Sequence, residues 1–339
     1  MASEAAKLEV PGPHGVREMR VSSPGRVIWP ESGTTKLQLA EYLVAVAEPF
    51  LRHDGGRPIS LQRYPGDISS DWFFSKNPPK GAPDWIRTAT VAYPSGRRHP
   101  QLVVDEIAAA VWMAQMNTLV FHPWPATAED SDHPDQLRLD LDPQPGRGYA
   151  DAVEVALVLR GLLQEVGLEP VVKTSGNRGL HVVAAIRPEH DYIEVRHAVI
   201  AVARELERRL PDDVTTSWWK EERGERIFID YNQAARDRTT AGAYSPRATP
   251  GATVSTPLAW DELPGSDPAE HTIATVPARL ASLGDPWEGW DAAPGSIRPL
   301  LEWWERDAAA GLGELVYPPD YPKMPGEPPR VAPSRAKKD

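Results

Sequence analysis

Leu137-Arg138-Leu139-Asp140-Leu141-Asp142-Pro143 is the stretch whose reading decides the fold. Side chains of a β-strand alternate between faces. As a strand, this stretch therefore turns Leu137, Leu139 and Leu141 into a core and sends Asp140 and Asp142 together to the opposite face. Same-face neighbours on a strand lie roughly 7 Å apart. Two such carboxylates can share one divalent ion, or a pair of ions about 4 Å apart, as two-metal phosphoryl-transfer sites require. Pro143 has no N–H to give a ladder and stops the strand. An edge strand with its polar face in water has the same pattern, and Asp-x-Asp alone does not separate the two readings.

Working outward, strands and helices alternate. Asn117 to Phe121 reads as a strand with His122 at its exit. Asp151 can cap a helix to about Val166, with Ala152, Ala156, Leu159 and Leu163 on one face and Gly167 as its stop. Pro170–Thr174 and His181–Ile186 are strands, Tyr192 to Leu210 a helix, and Arg226–Tyr231 a strand that carries Asp230 near its end. This alternation predicts a mixed α/β sheet. Ligand sites in open α/β sheets favour strand ends. If the strands are neighbours, Asp140, Asp142 and Asp230 converge; otherwise they are three unrelated surface acids. Between two strands lies Ser175-Gly176-Asn177-Arg178-Gly179-Leu180-His181. Gly176 and Gly179 allow close backbone approach, Ser175 and exposed N–H groups can bind phosphate oxygens, and Arg178 and His181 can add charge-assisted bonds. A plain glycine-containing hairpin is the competing reading. Arg236, Arg238 and Arg247 follow the third acid and could neutralise a triphosphate or a nucleic-acid backbone, or simply form a solvated basic loop.

On the amino-terminal side, residues 1–20 lack periodicity and carry Pro11, Gly12, Pro13 and Gly15, which predicts a flexible arm. Thr35 to His53 is the first clear helix, opened by a Thr35–Gln38 capping box, with Leu39, Leu43, Val46 and Phe50 on one face. Lys36 in its first turn opposes the helix dipole; it is a surface lysine or a phosphate contact. Pro58 to Tyr64 reads as a strand containing Arg63. Asp71-Trp72-Phe73-Phe74-Ser75-Lys76 is either core aromatics with a solvated lysine or a base-stacking platform with Lys76 on a phosphate. Ile86–Tyr93 and Pro100–Asp105 flank Pro94-Ser95-Gly96-Arg97 as a hairpin. Towards the carboxyl end Trp287, Trp290, Trp303 and Trp304 suggest a helical cap, and a Pro-rich tail is expected over 306–339.

Composition bounds the rest. The 339 residues, 41% hydrophobic and 25% charged, suit one large domain or two smaller ones. With no Cys, disulfides and thiolate metal sites are excluded, so a metal must sit on Asp, Glu or His, which favours Mg or Mn. A net charge of −11 argues against a non-specific nucleic-acid coat protein but not against an enzyme with a local basic groove. No stretch has the length of a transmembrane span and Met1 to Val10 has no apolar run, so no membrane contact or signal peptide is expected, and the absence of Cys suits a cytoplasmic protein.

In combination, Leu139-Asp140-Leu141-Asp142-Pro143, the Ser175–His181 loop, Phe228-Ile229-Asp230-Tyr231, Thr239-Thr240, Tyr244-Ser245-Pro246-Arg247 and Val254-Ser255-Thr256-Pro257-Leu258 resemble the polymerase domain of bacterial ligase D, in the archaeo-eukaryotic primase superfamily. Tyr321 to Arg330 is similar to stand-alone members, and no ligase or nuclease module fits the length. The resemblance implies an α/β (α+β) primase-polymerase fold over 21–305, with central mixed and antiparallel sheets flanked by helices and a two-lobed core. It implies a template-dependent nucleotidyltransferase of non-homologous end joining that fills gaps, extends 3′ ends and prefers ribonucleotides. Asp140, Asp142 and Asp230 would bind two Mn or Mg ions. Ser175, Arg178, His181, His122 and Arg247 would hold an NTP or dNTP, with Phe73 and Phe74 beside the nucleotide or template base. Lys36 and Arg26 would grip a 5′-phosphate of gapped or broken duplex DNA, with Arg63, Lys76, Arg223 and Arg238 as weaker candidates. Ku and a separate DNA ligase are the implied partners of a monomer. Gln62 stands where a basic residue is usual, Arg178 and Arg26 where Lys is usual, and Ala234 where Asn is common. The rival readings are a non-catalytic DNA-end-binding module and a metal-dependent nuclease.

Overall fold

The structure, a computed structural model, describes residues 5–317, 323, 324, 326 and 327. The first lobe opens with β1 (Ala6–Gly12) and β2 (Gly15–Val21), then the short pair β3 (Val27–Trp29) and β4 (Thr34–Thr35), then α1 (Lys36–Ala45) and α2 (Ala47–Asp54). Its sheet contains β5 (Pro58–Arg63), β6 (Phe73–Ser75), β7 (Thr88–Ala92) and β8 (Arg98–Val103), followed by α3 (Ile107–Gln115) and β9 (Thr118–Pro123). β5 is central and takes β6, β8 and β9 as antiparallel neighbours. One apolar cluster, including Leu39, Leu43, Phe50, Ile59, Leu61 and Phe121, fills this lobe.

The second lobe is built from β10 (Gln136–Pro143), α4 (Tyr149–Glu165), β11 (Pro170–Thr174), β12 (Leu180–Ala185), α5 (Tyr192–Arg209), β13 (Val214–Thr215), α6 (Lys220–Arg223), β14 (Ile227–Ile229) and β15 (Pro257–Leu258), with α7 (Val276–Leu283) and α8 (Arg298–Ala309) after it. Its six strands run in the order β13-β14-β10-β12-β11-β15. Only the β13–β14 pair is parallel. The sheet is thus mixed, as the alternation predicted. β10 behaves as its period of two demands. Leu137, Leu139 and Leu141 are buried against α4 and α5, Asp140 and Asp142 face the other way, and Pro143 is the last residue of the strand.

Four expectations need correction. Residues 6–21 are a β-hairpin rather than a flexible arm: Gly12 pairs with Gly15 across a two-residue turn, and Val10, Met19 and Val21 are buried on the first core. Gly15 at φ +102° supplies the backbone twist that the tight turn needs. The predicted helix over 35–53 keeps its Thr35–Gln38 capping box but breaks at Val46 into α1 and α2. The four tryptophans do not form one cap: Trp287 and Trp290 join the first core, Trp303 and Trp304 the second. The expected tail boundary at 306 falls inside α8. Beyond α8, buried Arg196 pairs with Glu314, and Asn232 donates to the Val316 carbonyl (2.8 Å), so residues 314–316 are fastened to the second lobe. The tail expected over 318–322 and 328–339 lies outside the described residues, as does most of the Tyr321–Arg330 motif. Among the described residues, no helix is long and apolar enough to cross a membrane.

Candidate active site

β10 carries the site because it is flanked on both sides. On one edge it pairs with β12, placing Asp140 opposite His181. On the other it pairs with β14, placing Leu141 opposite Ile229. The Asp230 N–H then donates to the Asp140 carbonyl at 3.0 Å. The strand order therefore brings the third acid beside the first two. Asp140, Asp142, Asp230, Ser175, Arg178, His181 and Arg247 line one cleft of about 280 Å³, together with Asn177 and Gln233.

The acids are held by neutral donors. The Gln144 amide donates to Asp142 Oδ2 (3.1 Å) and the Gln233 amide to Asp230 Oδ2 (3.1 Å), and the Asn232 N–H donates to Asp230 Oδ1 (3.1 Å). His181 Nε2 lies 3.5 Å from Asp140 Oδ1. Burial, with Asp230 and then Asp142 adding like charge, pushes the Asp140 carboxyl up to about 8. Burial likewise raises Asp230, against its hydrogen bonds from Gln233 and Asn232. Among the described residues no Lys or Arg forms an ion pair with any of the three. Nor, among the described residues, do three or more His, Cys, Asp or Glu side chains lie so placed that they could hold a metal ion together. The trio shares a field rather than a finished coordination shell. Lys173 and Arg247 act on Asp140, and Arg223 on Asp230, through space only and without an ion pair; carboxylate oxygens are the donor type that hard divalent ions take.

The loop from β11 to β12 forms one wall. Ser175 Oγ accepts the N–H groups of Asn177 and Gly179 (both 3.2 Å), which leaves its own hydrogen for an acceptor in the cleft. Gly176 sits at φ +69°, and a Cβ there would come within 2.4 Å of Arg247 Cγ; a Cβ at Gly179 would come within 2.2 Å of the Leu141 carbonyl oxygen. Both glycines are required by close approach. Arg178 is exposed beside them. Arg247 is half-buried; burial lowers its pKa while Asp140 opposes the shift.

His122, on β9, is buried and held down at about 3, first by burial and then by Arg247. Its ring meets Phe74 edge-on at 5.2 Å. Phe73 and Phe74 are exposed on edge strand β6, with Trp72 edge-on to Phe74 at 5.4 Å. The aromatic run is thus a surface platform rather than core.

The remaining basic candidates divide. Lys36 and Arg26 share a corner away from the cleft: the Lys36 N–H donates to the Arg26 carbonyl (2.9 Å), and Arg26 donates to Asn117 Oδ1 (2.6 Å) and the Pro65 carbonyl (3.1 Å). Burial, and then the Arg26 charge, lowers Lys36 to about 8. Arg63 continues this strip, donating to the Met116 carbonyl (2.9 Å) and lying 5.3 Å over the Phe73 ring. Lys76 is instead ion-paired with buried Asp237 (2.6 Å). Arg223 is buried over Phe228 and donates to the Ser217 (3.1 Å) and Trp218 (2.8 Å) carbonyls, with Gln144 Oε1 at 3.5 Å. Arg238 is half-buried just beyond Asp237. The last three are not gathered with Lys36 and Arg26.

Sequence reasoning missed three residues. Gln144 and Gln233 hold carboxylates, and an amide close to each acid in the chain was the available signal. Lys173 is 3% exposed behind His181; its signal was a lone cation within the apolar strand 170–174.

The family model described as "LigD, primase-polymerase domain" matches residues 35–287. The chain belongs to the LigD primase-polymerase domain family. It is 34% identical over 290 residues to the multifunctional non-homologous end joining DNA repair protein LigD of Mycobacterium tuberculosis, covering 81% of this chain and 37% of that protein. With the multifunctional non-homologous end joining protein LigD of Pseudomonas aeruginosa it shares 33% identity over 273 residues, 79% of this chain and 32% of the relative. It thus spans about a third of the length of these relatives. A solved structure, the polymerase domain from Mycobacterium tuberculosis ligase D in complex with DNA, superposes with a TM-score of 0.73 at 32% identity, covering 81% of this chain and 99% of that one. The primase-polymerase fold that the motifs implied is therefore the fold of this chain.

Proposed function

We propose that this chain is a template-dependent nucleotidyltransferase that extends 3′ ends on gapped or broken DNA during end joining. The observation that carries the reading is one cleft in which three carboxylates, none ion-paired with a Lys or Arg among the described residues, face the Ser175 loop and Arg247. An end-binding module needs no such trio, and a nuclease needs no anion cradle opposite it.

Asp140, Asp142 and Asp230 hold two Mn or Mg ions in this reading. When bound, such ions activate the attacking 3′ hydroxyl and neutralise charge at the transferred and departing phosphates. The chain's own groups bind and align the substrate. The Ser175 hydroxyl and Arg178 take phosphate oxygens from one wall, and Arg247 closes from the other. His181 Nε2 lies on the floor beside Asp140. Phe73 and Phe74 offer rings on which a base can stack, with His122 behind them. Lys36 and Arg26, joined by Arg63, hold the 5′-phosphate across the gap and so fix where the 3′ end falls. Relatives named for non-homologous end joining support a role in that repair, and the family resemblance adds Ku and a separate DNA ligase as partners and a preference for ribonucleotides.

The test is extension of a labelled primer across a short gap bearing a downstream 5′-phosphate, with Mn or Mg and each nucleotide type in turn. Template-directed extension, stronger with ribonucleotides, is the expected result. Shortening of the primer would establish the nuclease reading. A mobility shift without extension would establish the binding module.

A further inference from the structure

Asp140 and Asp142 are set by β10 itself, whereas Asp230 follows the last residue of β14 and caps a single 3-10 turn, Tyr231–Ala234. Two donors on its carboxylate come from that turn: the Asn232 N–H on Oδ1 and the Gln233 amide on Oδ2 (both 3.1 Å). One 3-10 turn has little stability of its own, so its position is set by what it is tied to. The Asn232 side chain is spent on that tie. Its Oδ1 accepts from Arg196 Nε (3.1 Å), and its Nδ2 donates to the Val316 carbonyl (2.8 Å). Arg196, on α5, is fully buried. It donates to Glu314 Oε2 (2.5 Å) and to the carbonyls of Leu315 (3.1 Å) and Val316 (3.4 Å). Its guanidinium also lies 5.3 Å from the centre of the Tyr231 ring and 5.1 Å from that of Tyr317. Glu314 is held in turn by His197. Four successive residues, 314–317, thus reach one guanidinium, and that guanidinium reaches the turn that holds Asp230. All four lie beyond residues 35–287, which the family model matches.

We propose that Arg196 is a positioning residue for Asp230 and that the strap 314–317 completes it, so that a segment outside the matched family region sets the third acid of the cleft. A buried guanidinium needs a negative partner, and among the described residues its one ion pair is with Glu314. Without that carboxylate the guanidinium is drawn away, and Asn232 loses its hold. The residue type matters as well as the charge. Nε serves Asn232, Nη1 serves Glu314 and Nη2 serves the strap carbonyls, three directions from one planar fork. A lysine ammonium can pair with Glu314, but its single nitrogen cannot reach Asn232 at the same time. Groups that orient a carboxylate control what it binds, and losing one costs about 10- to 100-fold in metal affinity or activity. What Asp230 does rests on the nucleotidyltransferase reading; how it is held does not.

The experiment is amide hydrogen exchange on the full chain without metal, read at Asn232 and along β10 and α5, with Mn binding and primer extension measured beside it. Wild type is expected to protect the Asn232 N–H. In Arg196→Lys that amide should exchange at least about tenfold faster while β10 and α5 keep their wild-type rates, a local opening rather than a global one. Mn should bind about tenfold more weakly, and extension should need correspondingly more Mn. At saturating Mn, kcat and affinity for the 5′-phosphorylated gap should change less than about threefold, below the loss expected from an altered carboxylate. Glu314→Gln, which can still accept from Arg196, should give the same pattern more weakly. Should Arg196→Lys fail to fold, Arg196→Met combined with Glu314→Gln removes both charges and is read in the same way. A wild-type exchange rate at Asn232 in the variants overturns the proposal. So does full rescue by Lys, or faster exchange spread evenly over the second lobe, since a charge pair that only stabilises the fold behaves so. Wild type that takes up no Mn and extends no primer overturns the nucleotidyltransferase reading and leaves the exchange at Asn232 to decide how Asp230 is held.

Discussion

Two corners of this molecule keep like charges together out of water, with opposite sign. In the cleft, burial and the two neighbouring acids push Asp140 up to about 8. At the start of α1, burial and Arg26 pull Lys36 down to about 8. Neither corner has its charge met by a direct ion pair, although opposite charges act on each from further off: no Lys or Arg is ion-paired with the three acids, and no acid with Lys36 or Arg26, among the described residues. Folding against that repulsion is unfavourable at each corner, and a ligand of opposite charge relieves it. The comparison teaches how one acidic chain holds both a cation site and an anion site: each is made by withholding the partner, not by supplying extra charge.

The comparison breaks most visibly at the acids. Asp140→Ala or Asp230→Ala removes a carboxylate to which an ion would bind, at a cost of several kcal/mol of transition-state charge stabilisation. Primer extension should fall at least about 10³-fold, while binding to a 5′-phosphorylated gap persists. Extension within tenfold of wild type would break the assignment of the cleft. The complementary variant, Lys36→Ala, should do the reverse. Affinity for the phosphorylated gap should drop roughly 10- to 100-fold, the weight of a hydrogen bond between charged groups. Nucleotide KM measured at saturating DNA should stay put, and affinity for the same gap without its 5′-phosphate should change little.

How much of this contrast was legible in the chain depends on which residues one asks about. The alternation of Leu with Arg138, Asp140 and Asp142 along 137–142 fixes a strand and its two faces, because a period of two leaves no other arrangement. That Asp230 joins them depends on β14 settling beside β10, a choice of sheet order that no local pattern encodes. The Ser175 loop was readable from its glycines. Lys173 was not, because a lone cation in a short strand reads as a surface position until both faces of the strand are found buried. Among the basic residues, Lys36 and Lys76 look equivalent in sequence. Only tertiary packing reveals that Lys76 is committed to Asp237 while Lys36 has a basic neighbour instead. The amino-terminal hairpin was hidden by Pro11, Gly12, Pro13 and Gly15, which mark a tight turn as readily as a disordered arm.

A subtler consequence concerns stability without metal. The Asp140 carboxyl is raised in the folded state, to about 8 against a model-peptide value near 4. Between those values the native state binds more protons than the unfolded chain, so its contribution to stability falls as pH rises. Asp140→Asn carries no such penalty. The variant should therefore melt close to wild type at pH 5 and higher than wild type at pH 8, by a few degrees, in thermal scans with a chelator present. Mn should raise the wild-type midpoint more at pH 8 than at pH 5. A difference between variant and wild type that does not move with pH would remove the electrostatic account of the trio.

The smallest effect sharpens the other corner. With Lys36 lowered to about 8 in the free protein, the ammonium is roughly nine-tenths present at pH 7, about half lost at pH 8 and mostly gone by pH 9. A DNA 5′-phosphate is already a dianion over that range, since its second ionisation lies near 6. Affinity for the phosphorylated gap should thus fall only about twofold from pH 7 to 8 and more steeply above, by at most tenfold per pH unit for a single proton. The bound phosphate favours the ammonium, so the complex should titrate at higher pH than the free protein, and binding above pH 8 should take up a proportion of a proton from buffer. Calorimetry in buffers of different ionisation enthalpy measures that uptake directly. Lys36→Arg, whose guanidinium stays charged throughout the range, should flatten the profile without abolishing binding. A wild-type profile that is flat to pH 9.5, with no proton uptake, would mean that Arg26 and Arg63 carry the phosphate and that Lys36 only lines the corner.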